Sequence, residues 1–105
     1  MITEILNATG IPFRRTRFLK PPSVTYAVYD DDIETDGGDN LVVIYHHQIT
    51  LELYENGLDD DAEEKIQSVL AEYGLQFEKQ DRFWLQAEQR YQVIYELDYY
   101  EKRSF

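Results

Sequence analysis

The sequence predicts an α+β fold, a small sheet of about four strands with two helices packed on one face, in a single domain over residues 1–105. Three patterns point to it. Residues 62–73 carry one apolar stripe at helical spacing, residues 41–54 and 91–99 alternate with the period of a strand, and the elements follow in the order helix, strand, strand, helix, strand, strand. A chain of 105 residues has room for one core.

The elements follow from local chemistry. Ile2, Ile5 and Leu6 have helical spacing, and Gly10 with Pro12 supplies a stop, so residues 2–9 form a short helix. Phe13 to Pro22 is a basic, aromatic connector in which Pro21-Pro22 forces extended backbone. Ser23 to Tyr29 is rich in β-branched and aromatic residues and predicts a strand. Asp30 to Asn40 holds six acids and Gly37-Gly38, the composition of a loop. From Leu41 to Tyr54 the residues Leu41, Val43, Tyr45, His47, Ile49, Leu51 and Leu53 share one parity, which predicts a long strand with a bulge or bend near His46-His47.

The second helix is expected from about Asp61 to Tyr73. Ala62, Ile66, Val69, Leu70 and Tyr73 form its stripe, Asp60 caps it with Glu63 as the reciprocal partner, and Gly74 ends it. Leu75 to Lys79 alternates as a strand, and Phe83 to Glu88 fits either a strand or a turn. Tyr91, Val93, Tyr95, Leu97 and Tyr99 define a last long strand that stops near Tyr100. The polar parity of the long strands then faces water or a neighbouring subunit, and an open sheet leaves two edges able to accept a strand from another chain.

Charge narrows the function. With 21 acids against 10 bases the net charge is −11, which opposes any broad grip on nucleic-acid phosphates or an anionic membrane surface. Its distribution is uneven: residues 1–22 hold Arg14, Arg15, Arg17 and Lys20 against a single acid, Glu4. Copies of such a chain can attract one another head to tail, basic segment against acidic face; the alternative is a solvated basic loop. The candidate interaction surface therefore comprises Arg14, Arg15, Arg17, Asp30, Asp31, Asp32, Glu34, Asp36 and Asp39. The nine tyrosines suit half-buried strand faces and interfaces.

No catalytic, cofactor or metal site is expected. There is no cysteine, so thiolate sites and disulfides are excluded. No apolar run approaches the ~20 residues of a membrane span, and the first residues lack the pattern of a signal peptide. Adjacent His46 and His47 point to opposite faces of a strand and cannot share a metal. Asp32, Glu34, Asp36 and Gly37 imitate the opening of a calcium loop, but the twelfth position is Val43 where a bidentate glutamate is needed. Carboxylates are plentiful, yet no pattern assigns any pair an acid and a base role.

Pro21-Pro22 followed by Tyr26 and Tyr29, then Leu53-Tyr54, the acidic helix start, Tyr73-Gly74, Phe77, Glu88 and Tyr91-Gln92-Val93-Ile94-Tyr95-Glu96 form an ordered set. From about Phe18 to Leu97 the chain resembles the small tail-completion, or tail-terminator, proteins of siphophages and prophages of Gram-positive bacteria. The resemblance implies an α+β fold and a homo-oligomeric ring, usually of six subunits, that caps the tail tube protein and docks to the head connector protein. It implies a place at the head–tail junction of a virion assembled in the host cytoplasm, and it carries over no catalytic residue. Two features depart from it, the expanded acidic stretch Asp30 to Asn40 and the triple-arginine connector. The alternative is an acidic DNA mimic or other inhibitor that occupies a nucleic-acid-binding partner.

Overall fold

A computed structural model describes residues 1–39 and 42–104, with the side chains at positions 38 and 39 outside that description. It is an α+β fold with two helices and a six-stranded open sheet. In chain order the elements are α1 (Ile2–Thr9), β1 (Phe13–Arg15), β2 (Tyr26–Asp39), β3 (Val42–Glu55), α2 (Asp60–Glu72), β4 (Phe77–Lys79), β5 (Phe83–Leu85) and β6 (Arg90–Ser104). The sheet runs β1-β2-β3-β6-β4, and β5 also pairs with β6. Only β1 and β2 are parallel; β2, β3, β6 and β4 alternate in direction.

Both helices cover one face. Ile2, Ile5 and Leu6 of α1 and Ala62, Ile66, Val69 and Leu70 of α2 join a single core with Ala27, Tyr29, Ile49, Leu51, Leu53, Val93, Tyr95 and Leu97. All eight strand residues are odd-numbered, so the alternation of apolar side chains sets which face the helices cover. Leu51, Leu53, Leu70, Val93 and Tyr95 are fully buried. Tyr73, the last residue of the expected helical stripe, is instead 39% exposed, because α2 ends at Glu72 and Gly74 (φ 70°) turns the chain away. The cap is Asp59 rather than Asp60: its carboxylate accepts from Ala62 N at 3.1 Å. Glu63 does not close a capping box, since its carboxylate is taken by Lys79 and Arg82.

The sheet is larger than the four strands expected. Phe13–Arg15 is a strand rather than connector, added in parallel along β2. The acidic stretch from Asp30 is not a loop: β2 begins at Tyr26, three residues later than expected, and continues to Asp39 in antiparallel register with β3. The register is continuous through His46-His47, and among the described residues it shifts between Asp36 and Asp39. Leu41 and Asn40, the expected start of β3 and end of the loop, lie outside the described residues. β6 does not stop near Tyr100 but pairs with β3 as far as Ser104.

Three long strands therefore project past the helices as an arm. The molecule measures 50 × 28 × 22 Å, and its radius of gyration, 15.3 Å, exceeds the ~13 Å expected of a compact chain of this length. On the arm Ile33, Ile44 and Tyr100 are 44%, 38% and 69% exposed. The helix-free face is not uniformly wet either. Tyr26 and Val28 are buried there, under a connector whose Phe18 packs edge-on against Tyr26 at 5.1 Å. Arg90 pins that connector through the Pro22 and Val24 carbonyls and lies 5.0 Å from the Tyr26 ring.

Candidate interaction surface

Each charged residue singled out in the sequence takes its place from strand parity and register. Arg14 sits opposite Val28 and Arg15 opposite Tyr29, so the two arginines point to opposite faces of one edge strand. Arg14 lies 5.0 Å from the Phe18 ring and donates to the Phe13 carbonyl. Arg17 follows in a tight turn whose N–H donates to the Arg15 carbonyl. Among the described residues, Arg14, Arg15, Arg17 and Lys20 have no carboxylate within ion-pair distance. They form a basic edge.

The acids of β2 divide by parity. Asp30, Asp32, Glu34 and Asp36 fall on the helix-free side, and among the described residues only Asp30 meets the basic segment, accepting from the Thr16 hydroxyl at 3.1 Å. Asp31 leaves this surface. It points to the helix side, where His47 Nδ1 lies 2.8 Å from its carboxylate. The Asp39 side chain lies outside the described residues. Along an extended strand alternate residues stand roughly 7 Å apart in a row, so Asp32, Glu34 and Asp36 do not curl around a point as calcium-loop ligands do.

The two histidines do point to opposite faces. His47 is 8% exposed, stacks on Tyr99 at 4.5 Å, and places Nε2 3.1 Å from Glu101 as well as Nδ1 on Asp31. Each of its ring nitrogens thus faces a carboxylate oxygen. The His47 contact holds the Glu101 carboxyl below its usual range. His46, on the helix-free face, stacks on Tyr100 at 4.4 Å and reaches Asp98 at 2.7 Å. Each Tyr follows from register, being directly across from its histidine.

Sequence reasoning missed two acidic groupings. The first is at the opposite edge of the sheet from β1, where Glu78 on β4 stands directly across from Glu96 on β6, with Asp98 two residues further along the same face. Like charges directly opposite each other are unfavourable in a sheet, and among the described residues neither Glu78 nor Glu96 has a basic partner within ion-pair distance. No sequence pattern announces such a pair, because it depends on the register of strands almost twenty residues apart.

The second is buried. Glu55, at the core side of the end of β3, is 0% exposed, and Glu63 of α2 lies beside it at 4%. Arg82 Nε donates to Glu55 at 3.0 Å, and the same guanidinium reaches Glu63 and Asp60, while Lys79 Nζ sits 2.6 Å from Glu63. Among the described residues Glu55 Oε2 has no hydrogen-bond partner, and a proton on Glu55 lets it donate to the neighbouring Glu63 carboxylate. Burial, then the Glu63 carboxylate, pushes the Glu55 carboxyl up to about 7. Burial also works to raise Glu63, but hydrogen bonds from Glu55, Lys79 and Arg82 prevail and hold it at about 2.

The pair gives stability a pH dependence of definite sign. The folded chain keeps the Glu55 proton up to about pH 7, whereas an unfolded glutamate releases it near 4.5. Its contribution is complete below 4.5 and is lost as the pH rises through 7. Glu63 works oppositely: its contribution is present above 4.5 and is lost as the pH falls toward 2. Between pH 5 and 8 stability should fall on the order of 1–3 kcal/mol. Glu55→Gln, which keeps a donor but cannot titrate, should flatten that fall in urea titrations across the range. An undiminished slope would place the titration elsewhere.

No protein-family model matches the chain, and no curated protein matches its sequence. The surface comprises a basic edge, an acidic edge on the far side of the same sheet, and an arm with apolar side chains in solvent.

Proposed function

We propose that this chain is a structural protein of a phage particle, one that ends the tail and joins it to the head connector as a ring of copies, with six the number favoured by the resemblance. The observation that carries the reading is the pair of unlike open edges. A sheet with cations on β1 and uncompensated acids at β4 suits copies that add in one direction, and heterologous contacts of that kind close into rings when the rotation permits. The arm, with Ile33, Ile44 and Tyr100 exposed, offers further surface for the tail tube protein and the connector.

A second reading has its own observation. Because the acidic stretch is strand rather than loop, Asp30, Asp32, Glu34 and Asp36 form a regular row of carboxylates on one face, a better imitation of a phosphate backbone than a loop provides. In that reading the chain occupies a nucleic-acid-binding partner and competes with DNA for it.

Gene deletion in a producing phage tests the first reading. Packaging depends on the head's portal and tail polymerisation on stacked tube rings, so both should proceed. Electron microscopy should show full heads beside unattached tails, some of them overlong. Normal particles, together with displacement of DNA from a basic DNA-binding protein by the purified chain, would replace the tail reading with the mimic.

A further inference from the structure

The two sheet edges match in length, direction, backbone polarity and charge, and we infer that β1 of one copy adds antiparallel to β4 of the next, with Arg14 set directly against Glu78. This contact rests on the ring reading and specifies which surfaces build it.

Direction comes first. β1 runs with β2, β3 against them, β6 with them again, and β4 against. Placing a second copy in the same orientation beside the first therefore brings β4 antiparallel to β1, the arrangement that short strands adopt readily. The helices of successive copies then lie on the same side of one continuous sheet.

Backbone polarity comes second. Ala27 N donates to the Pro12 carbonyl and Thr16 N to the Tyr29 carbonyl, so the even-numbered residues of β1 face β2 and Phe13 and Arg15 turn their N–H and C=O groups outward. Gln80 N donates to the Ile94 carbonyl, which likewise turns Glu78 inward to β6 and leaves Phe77 and Lys79 facing out. Two outward residues on each three-residue strand can thus pair, Phe13 with Lys79 and Arg15 with Phe77. The Arg14 side chain must release the Phe13 carbonyl for this, and the Arg15 carbonyl keeps its second lone pair free beside Arg17 N–H.

Charge fixes the register. In that pairing Arg14 and Glu78 form the pair without mutual backbone bonds, the kind in which Cα atoms approach to about 4.5 Å and side chains meet most closely. Both point to the helix-free face, because Arg14 lies across from Val28 and Glu78 from Glu96. The guanidinium then supplies the cation that the facing Glu78 and Glu96 lack among the described residues of one chain. Slipping the register by one residue would put Arg14 on the wrong face. Lys79 does not oppose the approach, since Glu63 holds it at 2.6 Å on the helix side.

The chain has no cysteine, which makes a disulfide test clean. Chains carrying Arg14→Cys mixed with chains carrying Glu78→Cys should oxidise to heterodimers only, and the double variant should give a ladder that stops at the ring size. Homodimers of either single variant would mean a two-fold contact and overturn the proposal. Oligomers in native mass spectrometry without the cross-link would sink this contact and spare the ring. A strictly monomeric chain, in solution and on tails, would sink both. A ladder from a chain whose deletion leaves normal particles would keep the contact and remove the phage role. As a check independent of oxidation, Glu78→Arg should weaken association by about tenfold or more through like charge, and adding Arg14→Glu to the same chain should restore it.

Discussion

Leu70→Ala should lower stability by about 2–5 kcal/mol, the range for emptying a leucine site in a packed core. Leu70 is fully buried where α2 meets the sheet, and its neighbours on the stripe, Ile66 and Val69, are 1% and 4% exposed. Removing its three outer carbons leaves a gap that strands anchored on both sides cannot close. A domain of this size loses about 4–8 °C of melting temperature for each kcal/mol, so the change should be plain in calorimetry as well as in urea. Tyr73→Ala, one turn further on, is the contrast: that ring is already 39% exposed and should matter far less. A Leu70→Ala chain with nearly unchanged stability would mean that α2 is not seated on the sheet.

That contrast also marks how far the sequence alone reaches. α2 was legible because its stripe, acidic start and terminal glycine agree with one another; the cap residue, its reciprocal partner Glu63 and the last stripe position were misjudged. The parity of β3 and β6 was legible for the same reason: apolar residues alternate wherever helices cover one face. The arm was not. Asp, Glu and Gly have low strand propensity, and Asp30 to Asp39 becomes a strand through pairing with β3, a cause that lies in another segment. β1 is three residues of Phe-Arg-Arg, too short for any period to show. Among the charged residues, Arg14, Arg15 and Arg17 could be noticed as a cluster along the chain. Asp31 could not be separated from Asp30 and Asp32 until strand parity turned it toward His47. Glu78 with Glu96, and Glu55 with Glu63 and Arg82, exist as groups only once register and packing bring distant segments together.

The Arg82 cluster carries the other large effect. Arg82→Ala should cost up to about 3 kcal/mol, because it leaves the buried Glu55 and Glu63 uncompensated while Arg82 itself, 31% exposed, is partly screened by water. Arg82 Nε holds Glu55 at 3.0 Å, and its other nitrogens serve Glu63 and Asp60. Without it two adjacent buried carboxyls have Lys79 alone, which is 2.6 Å from Glu63. The loss should depend on pH. At pH 5 Glu55 holds its proton and tolerates the absence of a cation, whereas near pH 8 it must either ionise unpaired or take up a proton against the solution. The cost should therefore be greater at pH 8, and adding Glu55→Gln to Arg82→Ala should recover part of it there and little at pH 5. Arg103→Ala sets the scale for an exposed pair: its partner Glu101 is 3.2 Å away, but both side chains reach water, and the loss should be far smaller than that for Arg82→Ala. Equal costs for Arg82→Ala and Arg103→Ala at both pH values would show that the Glu55–Glu63–Arg82 group behaves as surface charge, and would remove the reason given above for the fall in stability between pH 5 and 8.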